Sequence, residues 1–393
     1  MKTKLTLAGL LLSLAFPALA SQVTIYGIVD GGVQVKHTSN GKGIDGQTNA
    51  QFANGMLEGD RIGIKGREEL GGGNRVGFVL EQGFRLGSGD VDRADPGTSA
   101  AFSRQSTLSF SGIWGELAAG RMGGLSSADG TYTILDGATM GKSYNEAGLT
   151  SIYVTTPFTN NAVVYVSPEF GGVKFHAMYS NGLYDDTNKW SKNSHTYGAG
   201  LTYGSERAKG SVMYEVIDWA DDYSPMNANS GDVKSKDTQI FTIGGQYRFD
   251  SFTLYGTYQY VTHARLLPDF DITLADAAIN SGMIKKGFNS HAFSVSGAFP
   301  VFGGMFKAAI NYMNGKTKDS EVKSFLGASK FERLAGGIAY EYPLSKRSTL
   351  YGFGAVSVGM KGAKHNFAHT TEAGYGKVAY NTWSAGFGLR HYF

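Results

Sequence analysis

The side chains that could perform catalysis or hold a metal are dispersed in this sequence. Its eight histidines are scattered, and the G-x-S-x-G motif of hydrolase nucleophiles does not occur. His365 and His369 have the spacing of two helical zinc ligands, but the segment around them has no helical pattern and no H-E-x-x-H motif. We therefore expect no catalytic residue, no metal and no cofactor, and the sequence favours a protein that is not an enzyme.

Charged residues at alternating positions are more informative. One short segment carries three cations: Arg61, Lys65 and Arg67. They alternate with Ile62 and Ile64, and successive side chains of a strand point to opposite faces, so one face is cationic and the other apolar. In the following segment Glu81 and Arg85 lie on the charged parity. The sequence therefore predicts strands with one face toward water and one toward an apolar medium.

The same alternation recurs along the chain in segments of about 10 residues, the length of a tilted strand that crosses a bilayer. Composition agrees, since the 393 residues include 22 Tyr, 24 Phe and 56 Gly but only 8 Pro. After residue 20 no apolar run approaches the length of a membrane helix. The absence of cysteine excludes disulfide scaffolds and thiolate metal sites, and a formal net charge of +3 disfavours nucleic-acid binding.

Short turns and long polar loops alternate strictly between these segments. Seven turns are short, and eight connections are long: 38–58, 87–101, 122–159, 182–195, 220–237, 264–288, 315–330 and 361–378. Fifteen connections predict sixteen antiparallel strands, with a helix at 271–286 in the sixth long loop. Such sorting by length is typical of outer-membrane barrels, whose periplasmic turns are short and external loops long.

Aromatic residues support a barrel in a membrane. Five of the seven short turns directly follow one: Phe170, Tyr203, Phe249, Phe299 and Tyr342. This row is expected to form the aromatic girdle at the periplasmic interface. A closed barrel satisfies every backbone group internally, and one of sixteen strands leaves an aqueous channel. The sequence therefore predicts an all-β, 16-stranded antiparallel transmembrane barrel with a water-filled pore.

The first 20 residues have the form of an export signal. MKTK is a cationic start, an apolar core follows, and A-L-A at 18–20 provides small residues before the cleavage point. An uncleaved anchor is disfavoured because the apolar stretch is short for a spanning helix. We predict a cleaved signal peptide over 1–20 and one barrel domain over 21–393.

Several segments, in their order along the chain, resemble the Gram-negative general porins, especially those of β-proteobacteria. They are SQVTIYGIVDGGV (21–33), 60–84, 101–121, 160–172, 343–352 and the terminal GLRHYF. The resemblance covers the whole chain. It implies a homotrimeric outer-membrane channel for small hydrophilic solutes and ions, surrounded by outer-membrane lipid and lipopolysaccharide, whose third long loop folds into the lumen.

The resemblance also implies where the channel is narrowest. Arg61 and Arg104 match arginines that line the family's constriction, and the third long loop carries Asp129, Asp136 and Glu146. Our hypothesis is a basic wall opposed by acids on this loop, with Glu81 as a further pore-lining residue. The basic wall consists of Arg61, Lys65, Arg67, Arg85 and Arg104. Opposed charges of this kind set ion preference and orient polar solutes.

Two features depart from the simple pattern. Arg104 has the parity of Leu108 and Phe110, which should face lipid, so we expect a bulge or a position above the membrane band. At 159–166 the family's usual wall cation is missing, and Val164 and Val166 make the inward face apolar. Anion preference therefore does not follow from the resemblance.

Two other functions remain open at this stage. A substrate-specific channel would line its pore with aromatics, and Tyr26, Tyr255 and Trp219 have inward parity without forming an evident track. A secreted soluble β-protein could use the same alternation, but it would not require hairpins sorted by length.

The chain ends in mid-pattern on an aromatic residue, Phe393. We expect the last strand to close the barrel against the first, around 23–35. In outer-membrane barrels such a terminal aromatic is part of the signal read by the barrel-assembly machinery, and the resemblance implies this role for Phe393.

Overall fold

We describe a computed structural model of the chain. It describes residues 22–39, 46–92, 101–127, 129–135, 152–182, 190–219, 236–265, 286–320, 322–323, 328–361, 367–371, 374–378 and 381–393. The signal peptide over 1–20 and the helix expected at 271–286 lie outside these residues, apart from Lys286, and both stay predictions. No helix in the described ranges is long and apolar enough to cross a membrane.

Strands make up nearly all of the described structure. Their bounds are β1 (Gln22–Ser39), β2 (Gln47–Asn54), β3 (Arg61–Gly71), β4 (Asn74–Phe84), β5 (Val91–Asp92), β6 (Gln105–Gly112), β7 (Gly115–Gly123), β8 (Phe158–Val166), β9 (Val173–Ser180), β10 (His195–Gly204), β11 (Ala208–Asp218), β12 (Thr238–Arg248), β13 (Thr253–Ala264), β14 (Phe288–Val301), β15 (Gly304–Thr317), β16 (Lys330–Pro343), β17 (Ser348–Lys361), β18 (Phe367–Thr371), β19 (Gly374–Val378) and β20 (Asn381–Tyr392). A short 3-10 turn, Trp190–Lys192, precedes β10.

Sixteen of these strands form a closed antiparallel barrel, which confirms the predicted architecture. Each pairs with the next along the chain from β6 to β17, while β3 joins β1 to β4, and β4 pairs with β6. The last strand, β20, pairs with both β17 and β1 and so closes the circle. Every strand of the barrel is hydrogen-bonded to a neighbouring strand on each side, so no strand edge is left open toward lipid.

All four remaining strands lie in segments that the sequence predicted as loops, including β5, which pairs with the last residues of β4. β2, in the first long connection, continues the sheet beyond the barrel by pairing with the outer half of β1, from Gly31 to Thr38. β18 and β19 form a separate hairpin in the last connection. The predictions missed these strands because their residues lack a clean apolar alternation, since neither face has to meet lipid.

The barrel closes, as predicted, but in a different register. β20 pairs with Ile28–Ser39 of β1, rather than with 23–35. Residues Gln22–Ile28 pair on the other side with β3. Strands of a barrel are staggered, and the chain therefore ends opposite Gly27, whose backbone exchanges two hydrogen bonds with Phe393, N···O 3.2 and 3.1 Å.

Burial confirms which parity faces inward. On β1, Val23 and Ile25 are 61% and 64% exposed on the outer face, whereas Asp30 is fully buried on the inner face. An apolar cluster also lies on the inner face, where Ala118, Val164 and Met178 are in register on β7, β8 and β9. This apolar patch is buried although it lies on the inward face, so another part of the chain must cover it.

Candidate functional site

The first residue of the site is Arg61, which lies at the start of β3 with its side chain on the inward face. Its guanidinium lies 3.7 Å from a carboxylate oxygen of Glu58 and 3.5 Å from one of Asp129. Its Nε donates a hydrogen bond to the carbonyl of Gly59. Because the side chain is only 12% exposed, these contacts hold it in one orientation. The alternation that predicted an inward Arg61 therefore places it correctly.

Arg104 lies directly before the first residue of β6. Its Nε donates to Glu81 at 2.7 Å, and its backbone N–H donates to the Glu81 carbonyl, while Gln105 is the register partner of Glu81. Two consecutive residues thus oppose one, as in a β-bulge, which re-aims the first of them. The bulge considered from the sequence accounts for why Arg104 points inward although its parity is that of Leu108.

Asp129 lies on the third long connection and bridges the two arginines of the wall. One of its carboxylate oxygens lies 3.5 Å from Arg61, and the other lies 3.1 Å from Arg104. The side chain of Asp129 is 23% exposed, so the carboxylate is reached by water as well. A carboxylate of the third long connection therefore lies between two cations of the wall.

The charged state of Arg104 is favoured by its neighbours. Burial by itself lowers the pKa of the guanidinium, but the carboxylates of Asp129 and Glu81 together raise it above its ordinary value. Glu81 is 4% exposed and also accepts hydrogen bonds from Tyr26 Oη at 2.9 Å and Gln105 Nε2 at 3.4 Å. Arg104 and Glu81 form a buried pair whose hydrogen bonds offset the cost of taking both charges out of water.

A second set of charges continues this network along the wall. Arg390 on β20 lies 3.3 Å from the carboxylate of Glu58, and Tyr392 Oη donates to the same carboxylate at 2.9 Å. Arg390 and Tyr392 share one parity of β20, opposite the exposed Leu389, and both side chains face inward. Glu58 was missed because it lies in an irregular segment, where no periodicity reveals the direction of a side chain.

Asp30 holds the backbone of the segment that carries Glu58. Its carboxylate accepts backbone hydrogen bonds from Leu57 at 2.7 Å and Glu58 at 2.6 Å, and a further one from the hydroxyl of Tyr351. Asp60, also buried, accepts from the backbone N–H of Asp30. Two buried carboxylates thus fix the segment that leads into β3 and so position both Glu58 and Arg61.

The third long connection contacts inward-facing residues of several strands. Near its start, the Thr131 N–H donates to Gln105 on β6, and the Tyr132 hydroxyl donates to Glu116 on β7 at 2.6 Å. Burial and the adjacent carboxylate raise the pKa of Tyr132, so the hydroxyl stays a neutral donor.

Near its end, the same connection reaches β13. Gln259 accepts from the Val154 N–H and donates to the Val154 carbonyl, both at 2.8 Å, and Tyr153 Oη donates to the Thr257 carbonyl. Residues Leu125 and Ile134 of the connection belong to the apolar cluster that includes Val164. The inward valines at 159–166, which replace a wall cation of the family, therefore form part of the apolar surface that this connection covers.

The other predicted residues lie outside this network. Lys65 is exposed, and its Nζ lies 5.0 Å from the centroid of the Tyr26 ring. Arg67, also exposed, lies 3.0 Å from Glu69 near the short-turn end. Arg85 lies past the end of β4 in an exposed turn, rather than in the strand. Asp136 and Glu146 are outside the described residues, so nothing in the structure tests them.

Charges within the network are balanced. It contains three guanidiniums and three carboxylates: Arg61, Arg104, Arg390, Glu58, Glu81 and Asp129. Fixed charges of both signs on an inward wall can orient polar solutes and select ions, but they supply no nucleophile paired with a base. Among the described residues, no group of three or more His, Asp or Glu is arranged to hold a metal ion.

Comparison with known proteins identifies the family. A family profile described as Gram-negative porin matches residues 6–359. The chain belongs to the Gram-negative porin family. It is therefore a channel protein of the bacterial outer membrane, and the charge network lies on the inward face of the porin wall.

Curated relatives of this porin are also outer-membrane porins. One from Bordetella pertussis is 27% identical over the whole of both chains. The outer membrane porin protein 32 of Delftia acidovorans is 26% identical, over 84% of this chain and 82% of the relative. Relatives of this kind confirm the outer-membrane location and the porin channel function.

Solved structures support the fold. The anion-selective porin from Comamonas acidovorans aligns with a TM-score of 0.65 at 22% identity and covers 95% of this porin and 100% of its own chain. An outer membrane protein of Vibrio cholerae, OmpT in its trimer form, aligns with a TM-score of 0.62 at 14% identity, over 95% and 100% of the two chains. At such identities the likeness concerns the barrel and not the charges inside it.

Proposed function

We propose that this porin is a general diffusion channel whose constriction is formed by Arg61 and Arg104 on the wall and by Asp129 on the third long connection. The observation that carries the proposal is the position of the Asp129 carboxylate, which lies within 3.5 Å of both guanidiniums. In this reading the loop narrows the lumen, and the charges at its edge act on solutes that pass.

Contacts on opposite parts of the wall support a loop inside the lumen. The connection leaves β7 and returns to β8, yet Val154 bonds to Gln259 on β13. In barrel order β13 lies five strands beyond β8. A segment that bonds to inward-facing groups so far around the wall reduces the open cross-section of the channel.

The balanced charges of the network lead us to expect weak ion selectivity. Each guanidinium there has a carboxylate within 4 Å, so a passing ion meets neighbouring charges of both signs. A change of sign at one position should then shift the selectivity measurably. Arg61 is the position of choice because it faces carboxylates on two sides, Glu58 and Asp129.

Arg61→Glu is the test of this constriction. The substitution changes the charge by two units, which at about 6 Å in water-like surroundings alters the energy of a monovalent ion by about 1.4 kcal/mol. We expect the cation-to-anion permeability ratio to rise about a hundredfold, because the cation gains about a factor of ten and the anion loses about a factor of ten. It is measured as the reversal potential of single channels in a salt gradient.

Arg67→Glu is the matched control, because Arg67 lies on the same strand and face but is exposed beside Glu69 near the short-turn end. We expect its reversal potential to move much less. An unchanged reversal potential for Arg61→Glu, or an equal shift for both variants, contradicts a constriction at Arg61.

General diffusion is favoured over a substrate-specific channel by the inward aromatics. Tyr26 donates to Glu81, and Trp219 stacks on Arg265 with its ring centroid 4.5 Å away. They belong to separate parts of the wall, and Tyr255 lies on another strand, so they form no continuous track. Liposome swelling separates the functions: rates that fall smoothly with solute size support diffusion, and saturation by one solute contradicts it.

The assembly we propose is a homotrimer, as is common in the family. The outer face of β1 and β3 supports this, because its residues are aliphatic: Val23, Ile25, Ile62 and Ile64. Aromatic residues precede the short turns farther along the chain but not the turn after β3. A wall section without interfacial aromatics is suited to contact another protomer instead of lipid headgroups.

A further inference from the structure

The members of the charge network differ in how far their side chains reach water. Those of Glu58 and Asp129 are 28% and 23% exposed, whereas those of the three arginines are only 9%, 12% and 13% exposed. The two carboxylates flank Arg61, at 3.7 and 3.5 Å. Although the network as a whole is balanced, a solute at this point therefore meets two carboxylates first.

An exposed cation lies farther along the same inward face. Lys65 is four residues beyond Arg61 on β3, toward the short-turn end, which is roughly 13 Å along the strand. Its side chain is exposed, and no carboxylate in the described part of the chain forms an ion pair with it. The ammonium group of Lys65 can therefore donate to an anionic group of a passing solute.

The ring of Tyr26 lies between the acidic and the basic end. Tyr26 is the register partner of Gly63, and a Cβ on Gly63 would be 2.4 Å from the ring. The ring therefore covers the inward side of β3 midway between Arg61 and Lys65. Its hydroxyl donates to Glu81 at 2.9 Å, and Lys65 Nζ lies 5.0 Å from its centroid. An aromatic side chain held in this way offers an apolar face between the two charged ends.

This order of charges distinguishes a zwitterion from a simple ion. A simple ion is attracted by one end and repelled by the other, so the two effects oppose each other. A solute with an ammonium group at one end and a carboxylate at the other is attracted at both ends when its length matches. An extended peptide advances about 3.4 Å per residue, so three or four residues span the distance from Arg61 to Lys65.

We propose that short apolar peptides with free termini are preferred solutes of this channel, a preference that rests on the proposed diffusion function. The amino group of the peptide lies between Glu58 and Asp129, and its carboxylate pairs with Lys65. An apolar side chain in between contacts the ring of Tyr26. Because these contacts are reached by water, each is weak, and the peptide is attracted without being retained. The preference is therefore one of rate, and the rate stays proportional to the peptide concentration.

The test measures the entry of labelled trialanine into liposomes that contain the full-length channel, relative to a neutral sugar of similar mass. The comparison solute is the same peptide with its amino end acetylated and its carboxyl end amidated, which carries no charge. We expect free trialanine to enter about tenfold faster than the blocked peptide, since each exposed ion pair contributes about a factor of three. The rate of the neutral sugar verifies that each variant is folded and open.

Lys65→Gln removes the partner of the peptide carboxylate. We expect free trialanine to enter this variant about threefold more slowly, whereas the blocked peptide should be unaffected. Lys209→Gln is the matched control, because it removes another exposed inward lysine, on β11, seven strands away from β3 in barrel order. It should leave both rates unchanged. Glu58→Gln weakens the other end and should also slow free trialanine about threefold.

Equal entry of free and blocked trialanine overturns the proposal, and so does an equal effect of Lys65→Gln and Lys209→Gln on the free peptide. A series of neutral sugars checks the proposed function separately. Sugar rates that fall smoothly with size, without an advantage of the free peptide, refute the peptide preference alone. A sugar rate that saturates refutes general diffusion, and a trialanine rate that saturates refutes both.

Discussion

Arg104 holds the wall and the loop together, since its guanidinium bonds to Glu81 on one side and to Asp129 on the other. The side chains of Arg104 and Glu81 are both more than nine-tenths buried. A charge removed from such a pair leaves its partner without compensation in a poorly solvated place. Arg104 should therefore matter more for stability than the exposed Lys65 or Arg67.

Arg104→Met tests this role. We expect a loss of about 3 kcal/mol in barrel stability, because the Glu81 carboxylate stays buried without its cation. The measurement is the temperature at which the folded form converts to the unfolded form on a gel or by circular dichroism. Adding Glu81→Gln should recover part of the loss, and a double variant less stable than both single variants would refute the pairing.

The roles of single residues could be predicted from the sequence only where a strand fixed the direction of the side chain. Alternation was enough to place Arg61 and Glu81 on the inward face. It failed at Arg85, which follows the strand end, and it gave no access to Glu58, which is positioned by backbone hydrogen bonds to Asp30. Contacts between a loop and the wall depend on tertiary folding, which parity does not encode.

At the level of elements, the third long connection is fastened at two distant places. Gln105 and Glu116 hold its beginning, and Gln259 holds its end through both polar groups of Val154. Gln259 is buried, so the hydrogen bonds are shielded from water. These hydrogen bonds to β13 should therefore limit the motion of the end of the third long connection.

Gln259→Met should loosen that end. The substitution keeps the size of the side chain but leaves the N–H and C=O of Val154 without partners, at a cost of about 1–3 kcal/mol each. We expect amide hydrogen exchange at 152–157 to become about 10- to 100-fold faster, and the open-channel current to become noisier. Exchange at Thr131, at the other fastening, serves as the internal control and should not change.

The number of barrel strands and the alternation of short turns with long loops could be predicted from the sequence for a physical reason. Lipid on one side and water on the other impose a period of two on every barrel strand. No such requirement acts on β2, β5, β18 and β19, and there the prediction gave loops. An apolar patch around Val164 was also recognised, but the sequence did not show that the loop residues Leu125 and Ile134 cover it.

At the scale of the whole molecule, the proposed homotrimer predicts a difference between two parts of the outer wall. Ile25→Trp enlarges an exposed side chain on β1, which would be overpacked in an interface at about 1–3 kcal/mol per contact. We expect monomers to appear by light scattering. Leu201→Trp on β10 is the control, since an aromatic residue is tolerated toward lipid. Equal trimer fractions in both variants would exclude β1 from the interface.

Deletion of Phe393 tests the proposed role of the chain end in assembly. Its backbone exchanges two hydrogen bonds with Gly27, and its ring lies so close that a Cβ on Gly27 would be 2.2 Å from it. We expect a lower yield of folded protein in cells, with unchanged conductance of the channels that form. Phe393→Tyr is the matched control, and a normal yield from the truncated chain would contradict the role.

The seam between β1 and β20 also sets the order of events in folding. Its partners, Ile28 and Tyr392, are among the residues farthest apart in the sequence, so closing it has a high entropic cost and cannot begin before synthesis ends. Until then one side of β1 is an open edge, ready to pair with any other strand. During synthesis and export a chain of this topology therefore exposes an unpaired strand edge, and we expect another protein to cover this edge until β20 can pair with it.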